Sequence, residues 1–229
     1  MEKENMVECL QSCRLFGEMT TEQIRQLLEK YPNAVHSYGK KSYIFRQEDT
    51  PEKLYILIKG SVAIAQETVM GRKRSIANVT DIGELFGEVY LFIRKDRYDM
   101  YARALEDTVV LEFSKTLFLQ EKADSFPWEN QLRYNLLCIF AEKAYQLNQK
   151  MRVLGSGSIR EKIVQFLLSC QDQKGRIPTT FSREAMADYM NVARPSLSRE
   201  LGKMQFEGIL RFEGKEIIIT DQEKFESYI

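Results

Sequence analysis

The sequence holds a single histidine, His36, and four cysteines, Cys9, Cys13, Cys138 and Cys170. So few and scattered cysteines exclude a disulfide-stapled scaffold, and free thiols are expected in a reducing cytosol. A small-barrel, metal-dependent enzyme needs clustered histidines and carboxylates, and one histidine argues against that class. Glycine-rich phosphate loops, nucleophile elbows and Cys-x-x-C pairs are lacking as well. We therefore predict that the chain is not an enzyme and holds no metal.

The chain also has no net charge, because 33 basic residues balance 33 acidic ones. Nucleic-acid binding must then rest on a local arrangement of charge. Apolar runs are short: Leu136–Ala141 is among the longest, whereas a membrane span takes about 20 residues. The charged Met1–Asn5 segment differs from a secretion signal. We expect a cytoplasmic protein with no membrane partner.

Short apolar segments separated by glycine occupy the region from about Lys40 to Phe113. Leu54–Ile58 is apolar on both faces and ends at Lys59-Gly60. Many short strands at such spacing indicate a sandwich or barrel, since glycine adopts the positive φ of tight turns. Before them, Thr21–Lys30 has the pattern of a short helix with Thr20 or Thr21 as its cap. The further strands expected are Ser61–Ala65, Tyr98–Leu105 and Val109–Phe113.

A long helix is predicted from Pro127 to Leu154, over about 42 Å. Its apolar residues recur at steps of three and four, and such a stripe suits knobs-into-holes packing between two helices. Two interpretations remain open, a helix lying across its own barrel and a dimer seam, and both hold if different faces are used. We expect a homodimer. The residues expected in the seam are Leu136, Phe140, Ala144, Leu147, Met151 and Leu154.

The segment Gly155–Ser158 predicts a domain boundary and a hinge, because two glycines in three residues break helices and permit rotation. Ser158 and Glu161 then match a capping box that restarts a helix. We expect a sensor domain at residues 1–125, a dimerisation helix at 126–154 and a DNA-binding domain at 155–229.

Two short helices joined by a tight turn follow, a pattern typical of a helix-turn-helix. Ser182 is a suitable cap for a helix over Arg183–Met190, and Asn191 tolerates a left-handed backbone. The second helix starts at Arg194-Pro195, where proline suits the first turn. Its buried face is expected to comprise Leu197, Leu201 and Met204.

The opposite face of this second helix is basic, with Glu200 as its one acidic residue. Arginine reads guanine through O6 and N7, serine reaches bases or phosphate, and lysine suits phosphate. The alternative is the solvated face of an ordinary helical hairpin. Gly208–Phe212 and Glu216–Thr220, joined across Glu213–Lys215, indicate a β-hairpin and hence a winged helix-turn-helix on double-stranded DNA. The DNA-binding residues expected are Arg194, Ser196, Ser198, Arg199 and Lys203.

Nearly the whole chain resembles the CRP/FNR family of transcription regulators, typified by the cyclic-AMP receptor protein and the fumarate-nitrate reduction regulator. The resemblance is carried by Lys59–Val62, Gly83–Glu88, the long helix and Asn191–Leu201. It implies an α+β protein with an N-terminal double-stranded β-helix, which is a cyclic-nucleotide-binding-like β-roll. A long dimerisation helix and a C-terminal winged helix-turn-helix follow.

The resemblance also implies a homodimer on a palindromic operator, in which a signal in the β-roll reorients two recognition helices. RNA polymerase is a further expected partner. Arg194 and Arg199 fall on the family's two arginine positions for base and phosphate contact. Pro195 replaces a glutamate that often reads a base, so the half-site need not match that of the cyclic-AMP receptor protein.

A cyclic nucleotide is not the expected signal. In the family, Gly87-Glu88 is followed some ten residues later by an Arg-Ser pair, but this chain has Tyr98-Asp99 there, and aspartate repels phosphate. Arg97 lies one residue away, and a loop deletion could bring it into place, so a cyclic-nucleotide-responsive regulator is the alternative. Leu147-Asn148 replace hydroxyl residues that meet the base. The effector-pocket residues expected are Gly87, Glu88, Arg97, Tyr98, Asp99, Leu147 and Asn148.

Iron–sulfur and haem cofactors are not expected either. A cluster needs about four soft ligands within reach, but Cys138 lies on the long helix and Cys170 beyond the hinge. Haem needs an axial ligand, and His36 is the only histidine. An unidentified small molecule, a redox signal or no ligand remain, and a redox role for Cys9 and Cys13 stays open.

Overall fold

The computed structural model of the protein describes residues 3–68, 70–93, 95–119, 126–172, 176–179, 181–214 and 216–229. The chain divides into two units, one ending at Ile139 and the other starting at Phe140. This division falls within the long helix, so each unit contains part of it. The three-part division expected from the sequence, with boundaries after residues 125 and 154, stays a prediction.

The first unit combines short helices with the strands of a β-roll. Its helices are α1 (Lys3–Gln11), α2 (Thr21–Lys30), α3 (Val89–Phe92), α4 (Thr116–Leu119) and the start of α5 (Pro127–Gly155), with a 3-10 turn at Arg14–Phe16. Its strands are β1 (Asn33–Tyr38), β2 (Tyr43–Phe45), β3 (Lys53–Lys59), β4 (Val62–Glu67), β5 (Lys73–Val79), β6 (Leu85–Phe86), β7 (Tyr101–Ala104) and β8 (Thr108–Ser114).

The strands form two antiparallel four-stranded sheets, in the orders β1-β8-β3-β6 and β2-β7-β4-β5. Side chains from both sheets share one apolar core, so the sheets pack face to face. The predicted β-roll is confirmed. The residues buried in this core are Phe45, Tyr55, Leu57, Val62, Ile64, Val79, Phe86, Tyr90, Tyr98, Ala102 and Val110.

Strand β3 is buried on both faces, as its unbroken apolar run Leu54–Ile58 predicts. Tyr55 and Leu57 belong to the core between the sheets. The opposite face includes Phe113 of β8, whose ring centroid lies 6.1 Å from that of Phe16. The N-terminal segment therefore covers the outer face of this sheet. The helix α2 has the predicted cap, since Thr20 and Gln23 form a capping box.

Strand β7 is shorter than expected, spanning Tyr101–Ala104 instead of Tyr98–Leu105. The N–H of Tyr98 donates to the carbonyl of Asp49 at 3.0 Å, and its carbonyl accepts from the N–H of Glu48 at 2.9 Å. Because this backbone bonds to a loop, the prediction of a strand beginning at Tyr98 is wrong.

The first turns of α5 pack against the first unit. The carboxylate of Glu129, which is buried, accepts hydrogen bonds from Lys30 Nζ at 2.6 Å and Tyr31 Oη at 2.8 Å. A buried charge requires such partners. The hydrogen bonds from Lys30 and Tyr31 to Glu129 therefore hold the start of α5 in place. The apolar residues that the helix buries here are Trp128, Leu132, Leu136 and Ile139.

The second unit is a winged helix-turn-helix, as predicted. Its three-stranded sheet has the order β10-β11-β9. Lys215, expected in the turn of the wing, lies outside the described residues. Besides the end of α5, its elements are α6 (Ile159–Ser169), β9 (Ile177–Pro178), α7 (Arg183–Met190), α8 (Arg194–Phe206), β10 (Leu210–Glu213), β11 (Glu216–Ile219) and α9 (Gln222–Glu226).

The linker Gly155–Ser158 separates α5 from α6. Ser158 Oγ accepts a hydrogen bond from the N–H of Glu161 at 3.1 Å. The Glu161 carboxylate in turn accepts from the N–H of Gly157 at 2.9 Å. The predicted cap at Ser158 is confirmed. It differs from a standard capping box in that the Glu161 side chain accepts from the N–H of Gly157 instead of that of Ser158.

Candidate nucleic-acid interface and effector site

The turn between α7 and α8 has the geometry that its residues predict. Ser182 caps α7, its Oγ accepting from the N–H of Ala185 at 3.1 Å. Asn191 adopts the left-handed conformation, with φ 52° and ψ 52°. The N–H of Val192 then donates to the carbonyl of Ala187 at 3.0 Å. These bonds complete the end of α7 at Met190, and α8 starts at Arg194 after a turn of three residues.

Helix α8 has one buried and one exposed face. Leu197, Leu201 and Met204 are buried in the core of the second unit. Among the expected DNA-binding residues, Ser196 is only half-exposed. The residues of that set that are exposed are Arg194, Ser198, Arg199 and Lys203.

Glu200 does not lie free on this surface, a relationship that the sequence analysis missed. Its carboxylate accepts from Arg160 Nε at 2.6 Å, and Lys203 Nζ lies 3.8 Å away. Arg160 also contacts Glu207, which follows the last residue of α8. Glu200 therefore pairs with Arg160 as well as with Lys203, which is itself one of the expected DNA-binding residues.

Phe206 is a second residue that the sequence analysis missed, with 94% of its surface exposed at the end of α8. It lies seven residues after Arg199, and therefore on the same face of the helix. The sequence signal that could have identified Phe206 is an aromatic residue seven positions after Arg199.

The expected effector pocket coincides with a tightly packed aromatic cluster in the β-roll. The Tyr98 ring, 1% exposed, stacks on Phe45 with centroids 4.1 Å apart, and Tyr90 meets it edge-on at 4.8 Å. Tyr55 stacks on Phe86 at 5.2 Å. Burial raises the pKa of Tyr98 to about 12, so its hydroxyl stays neutral at physiological pH.

Gly87 and Glu88 belong to this packing. Gly87 has a φ of +77°, and a Cβ atom there would come within 2.8 Å of the Tyr55 ring. The close approach of the Tyr55 ring is sufficient to require glycine at position 87. Glu88 is buried.

Asp99 and Arg97 have partners within the chain. Asp99 accepts hydrogen bonds from Lys95 and Tyr90, which hold the pKa of its carboxyl below the usual value. Arg97 donates to the carbonyl oxygen of Glu48 at 3.0 Å and lies on the surface. The structure therefore keeps an anion at the position where the resemblance expects a phosphate anchor.

The remaining expected pocket residues, Leu147 and Asn148, lie in the second unit and are exposed there. Leu147 also belongs to the expected seam, of which Ala144, Met151 and Leu154 are likewise exposed and Phe140 is half-exposed.

Leu136 does not fit this set, because it is 4% exposed and buried in the first unit. Its neighbour Leu137 is 63% exposed. With Leu137 in its place, the apolar positions follow regular steps of three and four along α5, which is the heptad pattern. The dimer seam stays a prediction, and the apolar positions of α5 that follow this pattern and are not buried in the single chain are Leu137, Phe140, Ala144, Leu147, Met151 and Leu154.

Cys13 has a structural role. Its thiol is buried and donates to the carbonyl of Gly83 at 2.9 Å, and burial raises its pKa to about 11. Burial also raises the pKa of Cys9. His36 is half-exposed, with Nε2 3.8 Å from the Glu112 carboxylate. Within the part of the chain that the structure describes, no three histidine, cysteine or acidic residues are grouped as metal ligands.

No helix among the described residues is both long and apolar enough to cross a membrane.

Two family models match separate parts of the chain. Residues 35–124 match the cyclic nucleotide-binding domain, and residues 161–228 match the Crp-like helix-turn-helix domain. The first match covers most of the β-roll, and the second covers α7, α8 and the wing.

Similar proteins align with most of the chain. The cyclic AMP receptor protein of Thermus thermophilus is 25% identical over 197 residues, covering 86% of this chain and 88% of that protein. The anaerobic regulatory protein of Bacillus subtilis is 21% identical, covering 91% and 88%. The crystal structure of DNR from Pseudomonas aeruginosa, 24% identical with a TM-score of 0.53, covers all of both chains and shares the fold. With both its β-roll and its helix-turn-helix matched, the chain belongs to the CRP/FNR family of DNA-binding transcription regulators.

Proposed function

We propose that this regulator acts as a homodimer on a palindromic operator, with each protomer placing α8 in a major groove. The observation that carries the proposal is the exposed basic face of α8, formed by Arg194, Arg199 and Lys203. Arginine is suited to guanine and lysine to phosphate. Two such helices related by a twofold axis require half-sites one helical turn, about 34 Å, apart.

The dimer is proposed to form through α5. Leu147 and Met151 are each 61% exposed, and large apolar side chains grouped on one helix face are typical of an interaction surface. They belong to the heptad series that begins at Leu137, and pairing with a second copy of α5 would bury the whole series.

The signal is proposed to be a small molecule or a redox change other than binding of a cyclic nucleotide. Asp99 supports this, because an anionic carboxylate repels a phosphate. Tyr98 supports it as well, because its ring is packed against Phe45 where the resemblance expects an arginine.

A second candidate is a cyclic-nucleotide-responsive regulator. The match of residues 35–124 to the cyclic nucleotide-binding domain favours it, as does the similarity to a cyclic AMP receptor protein. Calorimetry with cyclic AMP separates the two, using the Thermus thermophilus protein in the same buffer as positive control. We expect no binding at concentrations that saturate the control. A micromolar dissociation constant would favour the second candidate and point to Arg97 as the phosphate anchor.

The main proposal is tested by selecting DNA from a random library with the purified protein. We expect enrichment of an inverted repeat with half-site centres 10–11 base pairs apart, bound by two protomers in sedimentation. Enrichment of a single, asymmetric site bound by one protomer would contradict the dimeric reader. Transcription in vitro from a promoter carrying the selected site then tests the expected partnership with RNA polymerase.

A further inference from the structure

Arg160 connects the first turn of α6 to two points on α8. Its side chain is 15% exposed. Nε donates to Glu200 at 2.6 Å, while Nη1 and Nη2 donate to the two carboxylate oxygens of Glu207 at 2.6 and 3.0 Å. Nη1 also donates to Tyr228 Oη at 3.1 Å, and the guanidinium lies over that ring. One side chain thus joins α6, α8 and the C-terminal segment.

The two carboxylates lie at the middle and the end of α8. Glu200 directly follows Arg199, and Glu207 directly follows Phe206, the last residue of the helix. Seven residues of helix span about 10 Å, so Arg160 holds α8 at two separated points along its axis. Two anchor points restrain the rotation of a helix about its axis as well as its tilt.

The apolar face of α8 supplies a less directional restraint. Leu197, Leu201 and Met204 hold the helix on the core by contacts that have no direction. An arginine bound to a carboxylate through two parallel N–H groups has a fixed geometry. The hydrogen bond from Arg160 also holds the pKa of Glu207 below its usual value, so this partner remains an anion at physiological pH.

We infer that Arg160 is a positioning residue for DNA reading. By fixing α8 relative to α6, it sets where Arg194 and Arg199 meet the base edges. The inference rests on the proposed function, in which α8 enters the major groove. Since Arg160 lies two residues after Ser158, a rotation of α6 about the linker Gly155–Ser158 carries α8 with it.

The test is Arg160→Lys, which keeps the charge and removes the two-pronged contact. Binding to the selected operator and to scrambled DNA is titrated, with circular dichroism confirming the fold. We expect operator affinity to fall about tenfold while affinity for scrambled DNA changes little, because a shifted helix loses base contacts and keeps phosphate contacts. A role confined to stability would lower the melting temperature and leave the ratio of the two affinities unchanged.

A matched control is Arg176→Lys, because Arg176 also pairs with two carboxylates in this unit, Asp172 and Glu216, neither of which lies on α8. We expect this control to keep the wild-type ratio. Glu207→Gln removes the negative charge and one of the two acceptor oxygens of the partner instead, and it should lower the ratio in the same direction. This variant keeps the inference testable if Arg160→Lys does not fold.

The outcomes separate the two claims. If the wild type itself does not distinguish operator from scrambled DNA, the proposed function fails, and the inference fails with it. If the wild type distinguishes them and Arg160→Lys and Glu207→Gln do so equally well, only the inference is overturned.

Discussion

The ring of Tyr98 stacks on that of Phe45, with 4.1 Å between centroids and 16° between planes. Tyr98 stands at the position where the resemblance to the family expects an arginine. In this chain an aromatic contact within the β-roll occupies that position. The stacked pair belongs to the core between the two sheets and stabilises the first unit.

Tyr98→Ala is therefore expected to destabilise the first unit by about 3–5 kcal/mol, the usual cost of removing a large aromatic side chain from a core. Tyr98→Phe keeps the stacked ring and serves as the control, with a much smaller expected loss. Urea unfolding followed by the fluorescence of Trp128, the only tryptophan and a residue of this unit, measures the difference. Equal stability of both variants would show that the stacked ring does not support the fold.

Leu147→Glu is expected to convert the proposed homodimer to a monomer. Leu147 is 61% exposed in the single chain, so the monomer tolerates the charge, whereas burying it in a seam costs several kcal/mol. Sedimentation at micromolar concentration measures the change, and the unfolding free energy of the monomer should be unaltered. Gln146→Glu places the same charge on an exposed position outside the heptad series and should leave a dimer. A wild-type monomer at this concentration would refute the seam.

Cys13 is expected to resist alkylation at pH 8. Its pKa of about 11 leaves roughly one thiol in a thousand ionised at that pH, and only the thiolate reacts. Cys138 is half-exposed and should react first. Mass spectrometry after iodoacetamide treatment, with and without urea, checks both sites. Rapid labelling of Cys13 in the folded protein would reopen a redox role for it.

Gly202→Ala is expected to have opposite effects on stability and on DNA binding. Gly202 lies inside α8, and an added Cβ would meet nothing within 4 Å. Alanine should therefore raise the free energy of unfolding by about 1 kcal/mol. The added methyl group lies between Arg199 and Phe206 on the surface proposed to face DNA, so operator affinity should fall severalfold.

The control for this substitution is Gly208→Ala. Gly208 has a φ of +70°, which alanine adopts only with strain, so that variant should lose stability. Denaturation and DNA titration are measured on both proteins. If Gly202→Ala binds the operator as tightly as the wild type, the DNA does not approach α8 closely at this position.

Local signals in the sequence were sufficient for the helix-turn-helix. Asn191 and Ser182 specify their own conformations, because the left-handed turn and the helix cap depend on neighbouring residues alone. The same holds for Thr20 at the start of α2. Where the sequence pattern is determined by local chemistry, predicted and observed boundaries agree.

The contacts of Arg160 could not be predicted in this way, since 40 residues separate it from Glu200 and 47 from Glu207. The sequence also does not show which of Leu136 and Leu137 is buried. Both are apolar neighbours on one helix, and only the packing of the first unit shows which of them is buried. Periodicity indicates a stripe, but tertiary contacts decide its edge.

Arg199→Ala is expected to reduce the specificity of DNA binding. Its exposed guanidinium is proposed to form a bidentate contact with guanine, worth about 1–3 kcal/mol in each half-site. A symmetric dimer loses the contact twice, so affinity for the palindromic operator should fall far more than affinity for scrambled DNA. The measurement is a titration of both DNAs at several salt concentrations.

Lys203→Ala is the matched control on the same face of α8. Its ammonium group is proposed to contact phosphate, so its loss should weaken binding to both DNAs by a similar factor and flatten the dependence on salt. Arg199→Ala should change the ratio of the two affinities, and Lys203→Ala should change the slope. If Arg199→Ala keeps the wild-type ratio while the wild type remains specific, then α8 does not read bases through Arg199, and the reader must be sought on another surface of the second unit.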